Sequence, residues 1–241
     1  MQRIRDAGGE IYAITSEPQT LASRAQDEWG FGFEAVGDPH HEISGTCRER
    51  GWLELFVNPR LGFLDQSARS NLGWNPSHPK GYFQPGVITL AADGRVLYRW
   101  RGVPTHKNMG GAAERPTAAH VWSQVERALA EPGPDAALDA DPPLDSRGIP
   151  WPIFASLLVA NGWFVKPRGF PLQERGPSPR QRVVRAGLRA LGFAAAWVAA
   201  FAWLPTLPVA VALAAWVAWI TPKVRFLNAE FQDVSGESGL R

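Results

Sequence analysis

Between Ala190 and Pro222 the chain carries no charged side chain, in a window well beyond the ~18 apolar residues that mark a membrane-embedded segment. Pro205 and Pro208 divide this run into arms of about 15 residues, each about 22 Å long as a helix, against a hydrocarbon core of about 30 Å. Neither arm is expected to span easily alone. Two membrane readings follow: a hairpin turning at Leu204-Pro205-Thr206-Leu207-Pro208, or one long span that is kinked and tilted. A dry helical hairpin in a soluble core stays open as a third, because alanine-rich helices also pack against one another.

The flanks carry orientation. Arg175, Arg180, Arg182, Arg185 and Arg189 precede the run, and Lys223 and Arg225 closely follow it. Cytoplasmic flanks accumulate Lys and Arg, so the amino-terminal part is expected to face the cytoplasm. The same five arginines are candidate contacts for anionic lipid headgroups; a solvated basic linker is the alternative. Upstream, Ile149 to Val165 is apolar but broken by Pro150, Pro152 and Gly162, with Trp151 and Trp163 near its ends. Such a segment suits a membrane interface or a strip packed against the globular domain.

Charge also divides the 241 residues: 1–148 are net −4 and 149–241 are net +6, within a total of +2. The expected partition is an α/β domain over 1–131, a Pro- and Asp-rich solvated linker over 132–148, a Trp-rich interfacial segment over 149–172 and a basic linker over 173–189. A membrane hairpin or kinked span over 190–222 and a polar tail over 223–241 complete it. Cys47 is the only cysteine, which excludes an intrachain disulfide and a disulfide-stapled secreted fold. The first residues carry charge with no apolar run behind it, unlike a signal peptide. No internal repeat or coiled-coil heptad is visible.

Within 1–131, strand-like and helix-like patterns alternate, as in α/β layer folds. Glu10 to Ile14 reads as a strand, Leu21 to Trp29 as a helix, Phe31 to Val36 as a second extended segment, and Asp38-Pro39 as the opening of a helix to about Arg50. Residues 53–83 read as a Gly-, Asn- and Pro-rich insertion. Val87 to Leu90 and Arg95 to Trp100 form a hairpin around Ala91-Ala92-Asp93-Gly94, with Pro85 just before it. A final helix from Pro116-Thr117 to Leu129 places Val121, Trp122, Val125 and Leu129 on one stripe.

Three segments in this order resemble the alkyl hydroperoxide reductase and thiol-specific antioxidant family, the peroxiredoxin-like branch of the thioredoxin superfamily. They are Ala7 to Ser16, Phe33 to His40, and Pro85-Gly86-Val87-Ile88 with Asp93-Gly94-Arg95-Val96. The resemblance covers roughly residues 1–129. It implies a thioredoxin-like sheet with Pro85 as a cis-proline facing a catalytic cysteine, and it places the cysteine-bearing turn and its strand upstream of Ala7. The family's arginine often stands where this chain has Gln84. The expected fold is therefore a thioredoxin-like sheet lacking its first, cysteine-bearing strand, joined to a C-terminal helical membrane anchor. Three ways of closing the gap remain open: an upstream start, direct pairing of the flanking strands, or a strand from a partner chain.

The family's chemistry needs an activated thiolate, and two of its essential groups, the cysteine and the arginine, are missing here. Cys47 is a weak catalytic candidate, with Arg48 and Arg50 nearby to favour its thiolate; an incidental cysteine is the bland reading. His78, Tyr82, Gln84 and Pro85 are candidates for the wall of a substrate pocket. His40, His41 and Cys47 lack the fourth partner and the spacing of a metal site, and no metal or cofactor is expected. The loop Arg101 to Gly111 is basic and Gly-rich but lacks a P-loop pattern. No nucleic-acid signature appears. The expected partners are membrane lipid and a membrane protein complex. The expected function is a catalytically silent relative of antioxidant thiol oxidoreductases at a membrane, or a non-catalytic interaction subunit.

Overall fold

A computed structural model of the chain describes residues 2–58, 80–103, 114–131, 133–145, 150–170 and 176–232. They divide into two compact units, a mixed α/β unit within 1–148 and a helical unit within 149–230.

The α/β unit begins with helix α1 (Gln2–Asp6) and strand β1 (Tyr12–Thr15), followed by helix α2 (Gln19–Trp29) and strand β2 (Glu34–Gly37). β1 and β2 pair in parallel, Tyr12 opposite Glu34 and Thr15 opposite Gly37. The crossover helix α2 buries Leu21, Ala22 and Ala25, and Ala35 is buried on β2. Two glutamines of α2 close the outer edge of β2. Gln26 Oε1 accepts from Ala35 N at 2.7 Å, while Gln19 donates to Ala35 O at 2.9 Å and accepts from Gly37 N at 2.8 Å. Side-chain amides thereby replace the next strand of the ladder, one way of blunting a sheet edge.

Helix α3 (Glu42–Glu49) follows, opened by Asp38 as its spacing predicts. Short strands β3 (Val57–Asn58) and β4 (Tyr82–Phe83) pair with each other, and β5 (Gly86–Leu90) pairs antiparallel with β6 (Val96–Arg101). At the tip Gly94 takes φ +89, a conformation that glycine adopts without a Cβ penalty, and Asp93 accepts from Arg95 N at 3.0 Å. Helix α4 (Ala118–Ala130) is capped by the Thr117 hydroxyl and packs Val121, Trp122, Val125 and Ala128 on Leu97, Tyr98 and Trp100 of β6. Leu129, expected on that stripe, is 48% exposed; the stripe turns through Ala128 instead.

The described strands form three two-stranded sheets: among them β1 pairs with β2 alone, and Tyr12 and Ile14 stay exposed. One expectation for this unit is corrected. No cis peptide occurs among the described residues, so Pro85 is trans, with its carbonyl accepting from Gly102 N at 2.7 Å. The stretch expected as a solvated linker is also more ordered than its composition suggests. Ala136 N donates to Val96 O, Asp139 N to Arg99 O and Thr117 N to Pro143 O, each at 2.9 Å, so residues 135–145 run along the open side of β6 and the start of α4.

The helical unit holds α5 (Trp151–Asn161), α6 (Pro179–Trp203) and α7 (Thr206–Gln232). Ser178 and Gln181 form a reciprocal capping box at the start of α6, which satisfies two of the orphan N–H groups there. Leu204, with φ −114 and ψ 161, ends α6. A residue before proline is forced out of the helical region, and Pro205 offers no N–H to continue the ladder.

The chain then doubles back. Phe193 and Trp216 would lie about 34 Å apart on one continuous helix, yet their ring centroids are 4.8 Å apart. The hairpin, not the single kinked span, is therefore the arrangement. The arms are longer than the charge-free window suggested: 25 and 27 residues, about 37 and 40 Å. Helix continues through the arginine-bearing stretch 179–189, expected as linker, and through 223–232, expected as tail. Each arm is long enough to cross a bilayer, and only 6% and 11% of their most apolar windows are buried. Leu191, Val198, Trp203 and Leu207 are each at least 70% exposed. That much bare apolar surface does not belong to a core helix in water, so the dry soluble hairpin is set aside. The two helices have the length, composition and exposure of a membrane-associated hairpin.

Candidate anion-binding site

At the charged end of the hairpin, Arg182, Arg185 and Arg189 stand at spacings of three and four residues, which brings them onto one stripe of α6. They line a cavity of about 190 Å³ with Arg168, Asn161, Trp163 and Pro177. No carboxylate is among these lining residues. The cavity is built around two buried polar side chains, Asn161 and Arg182, each 8% exposed.

Asn161 closes α5 and pins the chain that follows. Its amide donates to Arg168 O at 3.1 Å and Gly169 O at 2.6 Å, while Arg168 N reaches back to Leu158 O at 2.9 Å. Between these anchors the backbone makes a tight turn through Gly162 in which Trp163 and Phe164 both take left-handed φ values, 56 and 61. Two such residues in succession cost about 1–3 kcal/mol each and persist only because their surroundings hold them. Trp163 lies under Arg189, whose guanidinium carbon is 3.7 Å from the ring centroid. Arg189 also donates to Asn161 O at 3.4 Å, placing a cation at the negative end of α5. Arg182 Nε donates to Pro177 O at 3.1 Å. Phe164 stacks on Phe193 at 3.9 Å, and Trp216 and Trp219 of α7 donate to Phe164 O and Val165 O at 2.9 and 3.3 Å. The hairpin's second arm thus braces the turn that shapes the cavity.

Four guanidiniums around a small cavity make a site for a phosphate-like anion, since planar forks match its oxygens two at a time. Three of the five arginines expected at a headgroup, Arg182, Arg185 and Arg189, are gathered here. Arg180 is exposed and outside the cavity, and Arg175 lies outside the described residues. Arg168 and Asn161 were missed by the sequence reading, which placed Trp163 at a membrane interface but in no site. Asn161-Gly162 is a helix-ending dipeptide, the one signal that foretells a turn at this place.

Of the redox candidates, only Cys47, Tyr82, Gln84 and Pro85 fall among the described residues. Gln84 and Pro85 follow directly on β4, which carries Tyr82. Gln84 is 6% exposed, its N–H donates to Phe56 O at 2.8 Å, and its buried Oε1 takes no hydrogen bond among the described residues. Cys47 sits half-buried on α3. Burial pushes its thiol above the ordinary range, the Asp38 carboxylate adds to that, and Arg50 only partly opposes them. Arg50 favours the thiolate as expected, but burial and Asp38 outweigh it. Neither this cavity nor the polar hollow beside Tyr12 and Gln26 is lined by Cys47, Tyr82, Gln84 or Pro85. His41 packs its ring on Phe83 at 4.6 Å. His78 and most of the loop Arg101 to Gly111 lie outside the described residues. Among the described residues no three His, Cys, Asp or Glu side chains converge as metal ligands.

One polar cluster had no sequence signal at all. Asp139 Oδ2 accepts from the Tyr98 hydroxyl at 3.1 Å and lies 2.7 Å from His120 Nε2. Burial and then the Asp139 charge hold the Tyr98 phenol well above its usual range, so it stays a donor. The cluster fastens residues 135–145 to β6 and α4.

Against protein-family models, curated proteins and solved structures, the chain finds no match.

Proposed function

We propose that the chain is a membrane-held, non-catalytic docking protein, with the α/β unit carried on the cytoplasmic face as an interaction surface for a membrane complex. The observation that carries this reading is the exposure of α6 and α7: two long helices whose most apolar windows are only 6% and 11% buried. A hairpin sends both ends of the pair to one side of the membrane. Arg180, Arg182, Arg185 and Arg189 stand at one end, Lys223 and Arg225 at the other, and the turn Leu204 to Pro208 is uncharged. The positive-inside bias therefore points the same way from both arms, with the arginine cavity at anionic headgroups.

Descent of the α/β unit from a peroxiredoxin-like scaffold belongs to the same proposal. The parallel pair β1–β2, the Asp38-capped α3 and the hairpin β5–β6 occur in the order that the resemblance requires. Loss of the chemistry is supported by the raised Cys47 thiol, by Gln84 in the arginine's place and by a trans Pro85.

Two measurements test the proposal. Membranes carrying the full chain, washed with high salt and then with alkaline carbonate, are expected to keep it in the pellet through both; release by salt alone sinks the anchor. The purified full chain is expected to show no thiol-dependent peroxide consumption, and Cys47→Ser is expected to behave identically. Turnover that disappears with the thiol would return the protein to the enzymes.

A further inference from the structure

We infer that the arginine cavity selects a lipid whose headgroup ends in a phosphomonoester; this rests on the membrane-held reading. The first reason is charge. Arg168, Arg182, Arg185 and Arg189 meet at one cavity with no carboxylate among its described lining residues, and neither Arg168 nor Arg185 has an ionic or side-chain hydrogen-bond partner among the described residues. A phosphodiester headgroup brings a single negative charge, and in the zwitterionic lipids it brings an ammonium that four guanidiniums repel. A terminal phosphomonoester carries about −1.5 to −2 charges and three acceptor oxygens, enough to engage more than one bidentate fork.

Pre-organisation is the second. Trp163 and Asn161 O hold Arg189 in place, Pro177 O holds Arg182, and burial of Arg182 limits the side-chain freedom left to lose on binding. Position selects a lipid over a soluble phosphate ester, because Arg189 immediately precedes the charge-free run that begins at Ala190. A phosphate bound at this level leaves its acyl chains beside the exposed apolar face of α6.

The test uses the full chain in detergent micelles, read by tryptophan fluorescence because Trp163 underlies Arg189. Three probes are titrated: short-chain phosphatidic acid, short-chain phosphatidylglycerol and inorganic phosphate. Phosphatidic acid is expected to bind at least tenfold more tightly than phosphatidylglycerol and than inorganic phosphate. Arg185→Gln, an exposed position that leaves the buried Arg182 untouched, is expected to weaken phosphatidic acid at least fivefold. Arg180→Gln, on the same helix but outside the cavity, is expected to leave the preference intact. Equal binding of the two lipids overturns the selectivity, and equal weakening by both variants reduces the site to diffuse charge. Inorganic phosphate binding as tightly as phosphatidic acid overturns the lipid assignment. None of these results touches the carbonate-wash outcome, so failure here and failure of the anchor remain separable.

Discussion

Alanine in place of Gly162 is expected to destabilise the helical unit by about 3 kcal/mol or more, and to abolish the lipid preference with it. A Cβ at this position falls on the carbonyl of Lys166 and against that of Pro167, and backbone cannot swing aside as a flexible side chain can. Overpacking against rigid neighbours commonly costs 1–3 kcal/mol, and here the turn is already under strain. Gly162 O accepts from Val165 N at 3.2 Å, and Phe164 N reaches Val159 O at 2.9 Å; moving Lys166 disrupts both and releases the left-handed pair Trp163-Phe164. Trp163 would then leave Arg189, and Trp216 would lose its acceptor at Phe164. Unfolding in detergent, followed by tryptophan fluorescence, checks the first part, and titration with phosphatidic acid checks the second. Gly187→Ala is the control. Its Cβ meets nothing within 4 Å, so relief of glycine's helix penalty of about 0.8–1 kcal/mol is expected to leave the unit unchanged or slightly more stable. Equal losses from both substitutions would mean that the turn does not carry the site.

How far the sequence revealed this arrangement depends on the range of the force involved. The apolar hairpin was legible because absence of charge is a solvation property of the segment itself, and Leu204-Pro205 is a local steric break. Arm length was not, because the helix runs on through Arg180 to Arg189, where arginine is a good helix former and Ser178 supplies the cap. Val121, Trp122 and Val125 follow the helical period and were legible; Leu129 was not, because the width of the buried stripe depends on β6 beneath it. Asp139 and Arg168 were invisible for a deeper reason. Each sits in a stretch whose local pattern says loop, and each acquires its role from partners brought near by tertiary folding: Tyr98, 41 residues away, and the stripe on α6. The redox motif shows the converse failure. Pro85 precedes a hairpin as the resemblance requires, yet a pattern around a proline does not decide its isomer.

Asp38→Ala is expected to destabilise the α/β unit by about 3 kcal/mol, the larger effect of a pair whose milder member is Asp38→Asn. The carboxylate is 3% exposed, and it accepts from Glu42 N at 2.6 Å, Ile43 N at 3.3 Å and Ser44 N at 3.0 Å. These are the first N–H groups of α3, which have no partner inside the helix. Hydrogen bonds to a charged acceptor contribute about 1.5–3 kcal/mol each; the three share two oxygens and their donors are only partly buried, so their effects do not add in full. His41, at φ 60, is held left-handed partly by its own N–H to Asp38 O at 3.1 Å, and alanine leaves that backbone bond in place. Asparagine keeps one acceptor oxygen and the side-chain shape, so roughly half the loss is expected, read as the shift in denaturation midpoint. The same substitution has a second readout that a purely structural role would not move. Asp38 is one of the charges that raise the Cys47 thiol, after burial itself. Removing it without removing the burial lowers the thiol's pKa, and a larger thiolate fraction reacts faster at a given pH. Alkylation of Cys47 in folded Asp38→Asn is therefore expected to be faster than in the parent below the thiol's midpoint, converging with it at high pH. An unchanged rate would show that burial alone sets the thiol, and that the Asp38 charge is spent wholly on the helix.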